Sequence, residues 1–127
     1  MATTTASFRL SSGDLTSDAL SLSANQTLFG TAGTTGPTLT SGLVRTKGFA
    51  TEAVLITAAS YAGVAYVFIK NTDTTYTNKV EIDVGTNPLG ALYGGQFMFV
   101  PWDTVQNIEA DALSDDTVIE YIVVYTG

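Results

Sequence analysis

The feature that most constrains the fold is the two-residue spacing of the apolar side chains. Lys79–Val84 alternates strictly between apolar and acidic residues, and Leu20 and Leu22 alternate with serines. Successive side chains of a strand point to opposite faces, so this spacing predicts half-buried strands. No stretch of useful length shows the three-and-four spacing of an amphipathic helix.

Strand-like segments recur at short intervals along the whole chain. They are Ser7–Ser11, Ala19–Ala24, Leu43–Gly48, Glu52–Ala58, Val64–Asn71, Lys79–Val84, Leu89–Trp102, Val105–Ala112 and Thr117–Tyr125. Regular short strands without helices are typical of two-sheet architectures. The sequence therefore predicts an all-β fold, an antiparallel β-sandwich of about eight strands with a jelly-roll-like arrangement.

Leu89–Trp102 is expected to organise that sandwich. Gly94 and Gly95 suit the positive φ angles of a primed turn, so the segment is predicted to be a β-hairpin ended by Pro101. Phe97 and Phe99 fall on one side of its second strand, with Gln96, Met98 and Val100 on the other. We expect Phe97, Phe99 and Trp102 to pack first in the core and at its rim, and only second to form an interaction surface.

The length of 127 residues predicts a single domain spanning residues 1–127, with a short flexible arm at about residues 1–6. Only 13% of the residues are charged, so neutral Thr, Ser and Asn side chains must keep the surface hydrated. Asn25–Ser41 is rich in Gly and Thr and predicts a long loop or an exposed hairpin, either plainly solvated or facing a partner.

The charge balance and the missing residue types exclude several classes of function. The formal charge of −7 disfavours nucleic acids and anionic membrane surfaces. Cysteine and histidine are both absent, which excludes disulfides, thiolate metal sites and histidine-activated nucleophiles. The N-terminus lacks the pattern of a secretory signal, so synthesis in a cytoplasm is expected.

Catalysis is not predicted. Asp83, Asp103, Glu109 and Glu120 are nominal candidates for a paired-carboxylate glycosidase, but acidic residues on the polar phase of strands ordinarily keep a sheet face soluble. The glycines at 30, 33 and 36 lack the lysine and helix of a phosphate-binding loop, so no cofactor site is predicted. The expectation is a protein without enzymatic activity.

A metal site is not predicted either. Asp111, Asp115 and Asp116 surround a turn and could offer oxygen atoms to calcium. Their spacing does not match an EF-hand loop, and a solvated acidic turn is the favoured interpretation.

Four residues are candidates for contacts with a partner. Arg45 and Lys47 fall on one face of a strand and could pair with carboxylates across an interface, although exposed ion pairs on an ordinary surface are more common. Tyr93 and Trp102 could contact a protein or a sugar ring. For Trp102, packing in the core is the competing interpretation.

Four segments of the second half of the chain occur in a distinctive order. They are Tyr66–Asp73 with its Lys-Asn ending, Val80–Gly85, Leu89–Trp102 with Gly-Gln-Phe-Met-Phe-Val-Pro, and Val118–Val123 with Glu-Tyr. In this order they resemble small virion structural proteins of tailed bacteriophages. The resemblance implies a capsid decoration (cement) protein on the virion surface. Its expected partner is the major capsid protein, and its expected state is a homo-oligomer, with a homotrimer favoured. The alternative is a fibre, knob or tail component that contacts the host surface or glycans.

Overall fold

The computed structural model of the protein describes residues 3–15, 17–29, 33, 36–47, 51–113 and 117–127. These residues form eleven strands and one short 3-10 helix, Ala58–Ser60. The strands are β1 (Thr5–Ser12), β2 (Leu20–Thr27), β3 (Leu39–Thr40), β4 (Val44–Lys47), β5 (Ala53–Ile56), β6 (Ala65–Asn71), β7 (Val80–Val84), β8 (Asn87–Leu92), β9 (Phe97–Trp102), β10 (Ile108–Ala112) and β11 (Val118–Tyr125). Across these ranges, no helix has the length and hydropathy to pass through a bilayer.

Nine of the strands form two antiparallel sheets. In the first sheet, β11 lies between β6 and the short edge strands β3 and β4, and β9 lies beyond β6. The second sheet has the order β5-β10-β7-β8. If β3 and β4 count as one interrupted strand, the two sheets contain eight strands, which can be numbered 1 to 8 in chain order from β3/β4 to β11. The strand order is then 1-8-3-6 in the first sheet and 2-7-4-5 in the second. Apart from the β7–β8 hairpin, consecutive strands of this set lie in opposite sheets, as in a jelly roll, which confirms the predicted fold class.

Two features raise the number of strands above the predicted eight. The first-sheet edge is divided into β3 and β4 at Ser41–Gly42, where Gly42 has a φ of 69°. The second feature is a separate two-stranded hairpin formed by β1 and β2. Both are local additions, because neither changes the order of the eight strands in the two sheets.

The core lies between the facing sides of the two sheets. Alternate residues of each strand point inward, so β6 contributes Val67 and Ile69 while β7 contributes Val80 and Ile82, all fully buried. Ile56, Ile108, Ile119 and Val123 complete the centre of this cluster. Branched aliphatic side chains pack densely here, and the removal of their surface from water is the main stabilising force.

The predicted hairpin at Leu89–Trp102 is wrong. β8 pairs with β7 in the second sheet, whereas β9 pairs with β6 in the first, so the turn between them joins the two sheets. The Gln96 amide donates to the Tyr93 carbonyl at 2.9 Å, and Gly95 adopts a φ of 88°. A positive φ confined to the third residue corresponds to a type II turn rather than a primed turn.

Asn71, at the end of β6, holds this end of the sandwich together. Its side chain is fully buried, and Nδ2 donates to the carbonyls of Asn78 at 2.8 Å and Leu92 at 2.9 Å. Oδ1 accepts from the Asp73 amide at 3.0 Å. One side chain therefore links the first sheet to β8 of the second sheet and to the loop that follows β6.

The N-terminal third departs from a simple arm and loop. β1 begins at Thr5 and β2 extends to Thr27, so parts of both predicted irregular segments are paired strands. Of the predicted arm, residues 1 and 2 lie outside the described residues. Within 25–41, positions 30–32, 34 and 35 also lie outside them.

Candidate interaction surface

The outer side of the first sheet carries a cluster of four aromatic rings. Register places Phe99 opposite Phe68 and Phe97 opposite Lys70. Phe99 is therefore diagonal to Tyr66, and Phe97 is diagonal to Phe68. Tyr66 stacks on Phe99 with 6.1 Å between ring centroids and 6° between planes. Phe68 lies 5.8 Å from Phe97. Ile122 and Val124 of β11 flank these rings, and the six side chains are called the aromatic face below.

The aromatic face is substantially open to solvent. Phe97 is 57% exposed and Phe99 is 41% exposed, whereas Trp102, on the opposite side of β9, is 5% exposed. The expected core position of the two phenylalanines is therefore wrong, because Met98, Val100 and Trp102 occupy the inner side of the strand. Adjacent exposed rings of this kind are typical of surfaces that another molecule covers.

A row of charged side chains borders the aromatic face. Glu120 of β11 lies opposite Lys70 on one side and Arg45 on the other. Arg45 forms an ion pair with Glu120, whose side chain is only 13% exposed. Lys47 follows on the same side of β4 and is exposed. Of the two interpretations of Arg45, an ion pair within its own chain is therefore the one that the structure contains.

The β1–β2 hairpin lies over part of the aromatic face. Leu28, just after β2, is 3% exposed, and the Tyr66 hydroxyl donates to the Phe29 carbonyl at 2.8 Å. Between hairpin and sheet runs an apolar groove of about 770 Å³, lined by residues of both. The hairpin residues that line it include Phe8 and Ala24. The chain that follows β2 is therefore held to the sheet, while the groove under the hairpin stays open.

The outer side of the second sheet has the opposite character. Register places Glu109 opposite Asp83 and Asp111 opposite Glu81. Like charges directly opposite one another destabilise a sheet pair. A hydrogen bond to Asp83, partial desolvation and the negative charges of Asp83 and Glu109 raise the pKa of nearby Glu52 to about 7. Below about pH 7, Glu52 therefore keeps its proton, which lowers the repulsion among these side chains.

The remaining predicted interaction residues lie away from the aromatic face. The Trp102 ring packs edge-on against Tyr61 at 6.0 Å, and its Nε1 donates to the Gln106 carbonyl at 3.0 Å. A buried ring offers no face to a sugar, so the core interpretation of Trp102 describes its position. Tyr93 stacks on Tyr76 at 5.1 Å, and Tyr76 is 60% exposed.

Of the nominal catalytic candidates, the structure brings only Asp83 and Glu109 together. Asp83 and Glu109 are neighbours on the second sheet, whereas Glu120 belongs to the first sheet and is paired with Arg45. Asp115 and Asp116 lie outside the described residues. Among the residues that are described, no group of three metal-ligating side chains is found.

Sequence reasoning did not identify the aromatic face, although one signal for it was present. Residues 97, 99 and 102 cannot all point inward on one strand, because the side-chain period is two. Trp102 shares its side with Met98 and Val100, so a core position for Trp102 places Phe97 and Phe99 outside.

Comparison with protein-family models, with curated proteins and with solved structures finds no match for this chain.

Proposed function

We propose that this protein is a structural component of a tailed-phage virion, most simply a decoration protein that binds the outer capsid surface and stabilises the shell. The observation that carries the proposal is the open aromatic face on a jelly-roll domain. Jelly rolls occur in viral capsid and lectin domains. A patch of exposed rings on a folded domain favours a role in assembly.

The partner in this proposal is the major capsid protein, bound by a homo-oligomer with three copies favoured. Binding at junctions between capsid subunits buries additional surface on both proteins. Since a ligand that binds only the assembled state stabilises it by mass action, decorated shells should resist heat and internal pressure better than bare shells.

The charged border offers a way to locate the contact with the capsid. Lys47 is exposed on β4, and no ion pair to it is found among the described residues. Lys79 is the matched control, because its Nζ lies 3.4 Å from Glu81 on the opposite side of the sandwich. Lys47→Gln should weaken particle binding and reduce its dependence on salt, whereas Lys79→Gln should leave both unchanged.

The decisive experiment mixes the purified protein with particles that lack it. Co-sedimentation at a fixed copy number per capsid, together with a raised temperature of DNA release, supports the proposal. If the protein neither binds such particles nor raises their stability, the decoration role is wrong.

A fibre, knob or tail component that contacts host glycans is the second candidate. The observation that favours it is the stacked pair of Tyr76 and Tyr93, because an exposed tyrosine ring can pack against a sugar. Glycan-array binding that is lost in Tyr76→Ala and retained in Phe97→Ala would support this role. A uniformly negative array would remove it.

A further inference from the structure

The central part of the β1–β2 hairpin has one apolar side and one polar side. Register pairs Phe8 with Ala24 and Leu10 with Leu22 on the apolar side. Arg9 and its serine neighbours occupy the polar side. A two-stranded ribbon is at best marginally stable by itself in water. The apolar side therefore needs a covering surface along its full length.

Within the described part of the chain, the apolar side of this hairpin remains largely open. Phe8 and Ala24 line the groove against the first sheet, whereas Leu10 and Leu22 are not among its lining residues. Phe8 and Leu10 are each 48% exposed, and Leu22, which lies beyond the residues that line the groove, is 51% exposed. The tip, which comprises these two leucines and the connection between the strands, thus presents uncovered apolar side chains.

The aromatic face also lacks a covering surface. β9 is the edge strand of the first sheet, and its Phe97 and Phe99 rings are half open although the base of the hairpin lies nearby. The groove of about 770 Å³ remains unfilled by the chain's own side chains. An apolar ribbon end and an apolar groove are therefore both left open in one molecule.

Charge indicates which occupant fits the groove. The connection at the tip carries Asp14 and Asp18, and Lys70 lies directly opposite Phe97 at the border of the aromatic face. A chain of net charge −7 repels its copies in most orientations. When the acidic tip of one copy faces the basic border of another, the two surfaces attract each other.

We propose that the hairpin tip of one copy docks on the aromatic face of a second copy. This single contact covers Leu10 and Leu22 on the donor and Phe97 and Phe99 on the acceptor. The donating and receiving surfaces differ, so a chain of such contacts forms a closed ring or an open filament, unless two copies exchange tips as a two-fold pair. It does not depend on the proposed function, because it forms between purified copies without any capsid.

The first test measures self-association by sedimentation velocity from about 1 to about 100 μM. Leu22→Asp places a charge in the proposed contact, and Val105→Asp places the same charge at a site that is 73% exposed elsewhere. We expect the wild type and Val105→Asp to associate and Leu22→Asp to associate about 100-fold more weakly. A monomeric wild type, or equal association of all three, overturns the proposal.

The second test uses the absence of cysteine from the chain. Leu22→Cys protein is mixed with Phe97→Cys protein under mild oxidation, with Val105→Cys in place of Leu22→Cys as the control. A mixed disulfide dimer that forms with Leu22→Cys and not with Val105→Cys supports docking, since each chain carries one thiol. Linkage only between two Leu22→Cys chains would mean that hairpins pack against each other, and the proposal would be wrong. A monomer that native mass spectrometry shows with a bound lipid would assign the groove to an acyl chain instead.

Discussion

Asn71 gives the sharpest test of how the two sheets are held together. Asn71→Ala removes a fully buried amide that donates to the carbonyls of Asn78 and Leu92 and accepts from the Asp73 amide. The Leu92 carbonyl then lies in the core without its side-chain donor, while the other two groups are close enough to the surface for water to reach them. The variant therefore tests the cost of one unsatisfied buried acceptor and two weakened hydrogen bonds.

The expected loss is large relative to the stability of a domain. An unsatisfied buried acceptor costs about 1–3 kcal/mol, and each partly buried hydrogen bond contributes about 0.5–1.5 kcal/mol. We expect Asn71→Ala to lower the free energy of unfolding by about 4 kcal/mol, against a typical total of about 5–15 kcal/mol. For a chain of this length the midpoint temperature should fall by about 15 °C.

Urea unfolding monitored by fluorescence provides the measurement, since Trp102 is the only tryptophan and is buried. Asn87→Ala is the matched control on an exposed position of β8 and should change stability by less than about 0.5 kcal/mol. Asn71→Asp preserves the volume but turns an oxygen toward the two carbonyls, so it should destabilise at neutral pH and recover partly when protonated. A loss below about 1 kcal/mol in Asn71→Ala would refute the reasoning.

Three further predictions concern other parts of the sandwich. Folded Glu52 keeps its proton up to about pH 7, whereas the unfolded chain releases it near 4.5, so its contribution to stability is full below pH 4.5 and is lost as the pH rises to 7. The melting temperature should decline across that window in the wild type and stay flatter in Glu52→Gln. Parallel curves would contradict the raised pKa of Glu52. Gly94→Ala should lower the free energy of unfolding by about 2 kcal/mol, because its Cβ would lie 2.4 Å from the Thr75 carbonyl oxygen. Gly90→Ala, with open space around it, should be nearly neutral. Equal effects of the two substitutions in urea unfolding would argue against the close approach. Trp102→Phe should lower the free energy of unfolding by about 1–2 kcal/mol through the lost hydrogen bond to Gln106. Tyr76→Phe, on an exposed ring, should lower it by less than about 0.5 kcal/mol. Calorimetry distinguishes the two, and an unchanged stability of Trp102→Phe would count against the buried role of Trp102.

The two outer faces of the sandwich differ in a way that bears on assembly. The first sheet presents rings bordered by lysines, whereas the second presents facing carboxylates such as Glu109 and Asp83. Apolar surface gains free energy when a partner covers it, and an acidic surface keeps a particle soluble and repels its neighbours. A domain with this asymmetry is suited to binding through one side while the other remains hydrated.

Period-two alternation in the sequence was enough to predict the strands and the all-β sandwich. Val80 and Ile82 lie inward and Glu81 outward because strand geometry puts alternate residues on opposite faces whatever the sheet contains. Eight principal strands without helices also favoured the jelly roll, and the strand order confirms it. These properties depend on spacing along the chain, which a sequence states directly.

Tertiary structure alone decided which strands pair and which faces are left open. The Gly94–Gly95 turn suits an in-sheet hairpin as well as a connection between sheets, and only the pairing of β8 with β7 and β9 with β6 separates them. Alternation groups Phe97 with Phe99 but does not say which side of β9 meets the other sheet. That choice depends on packing Trp102 and Met98 against residues distant in sequence. Long-range packing of this kind leaves no local periodicity, so the aromatic face and the hairpin across it emerge only in the folded chain.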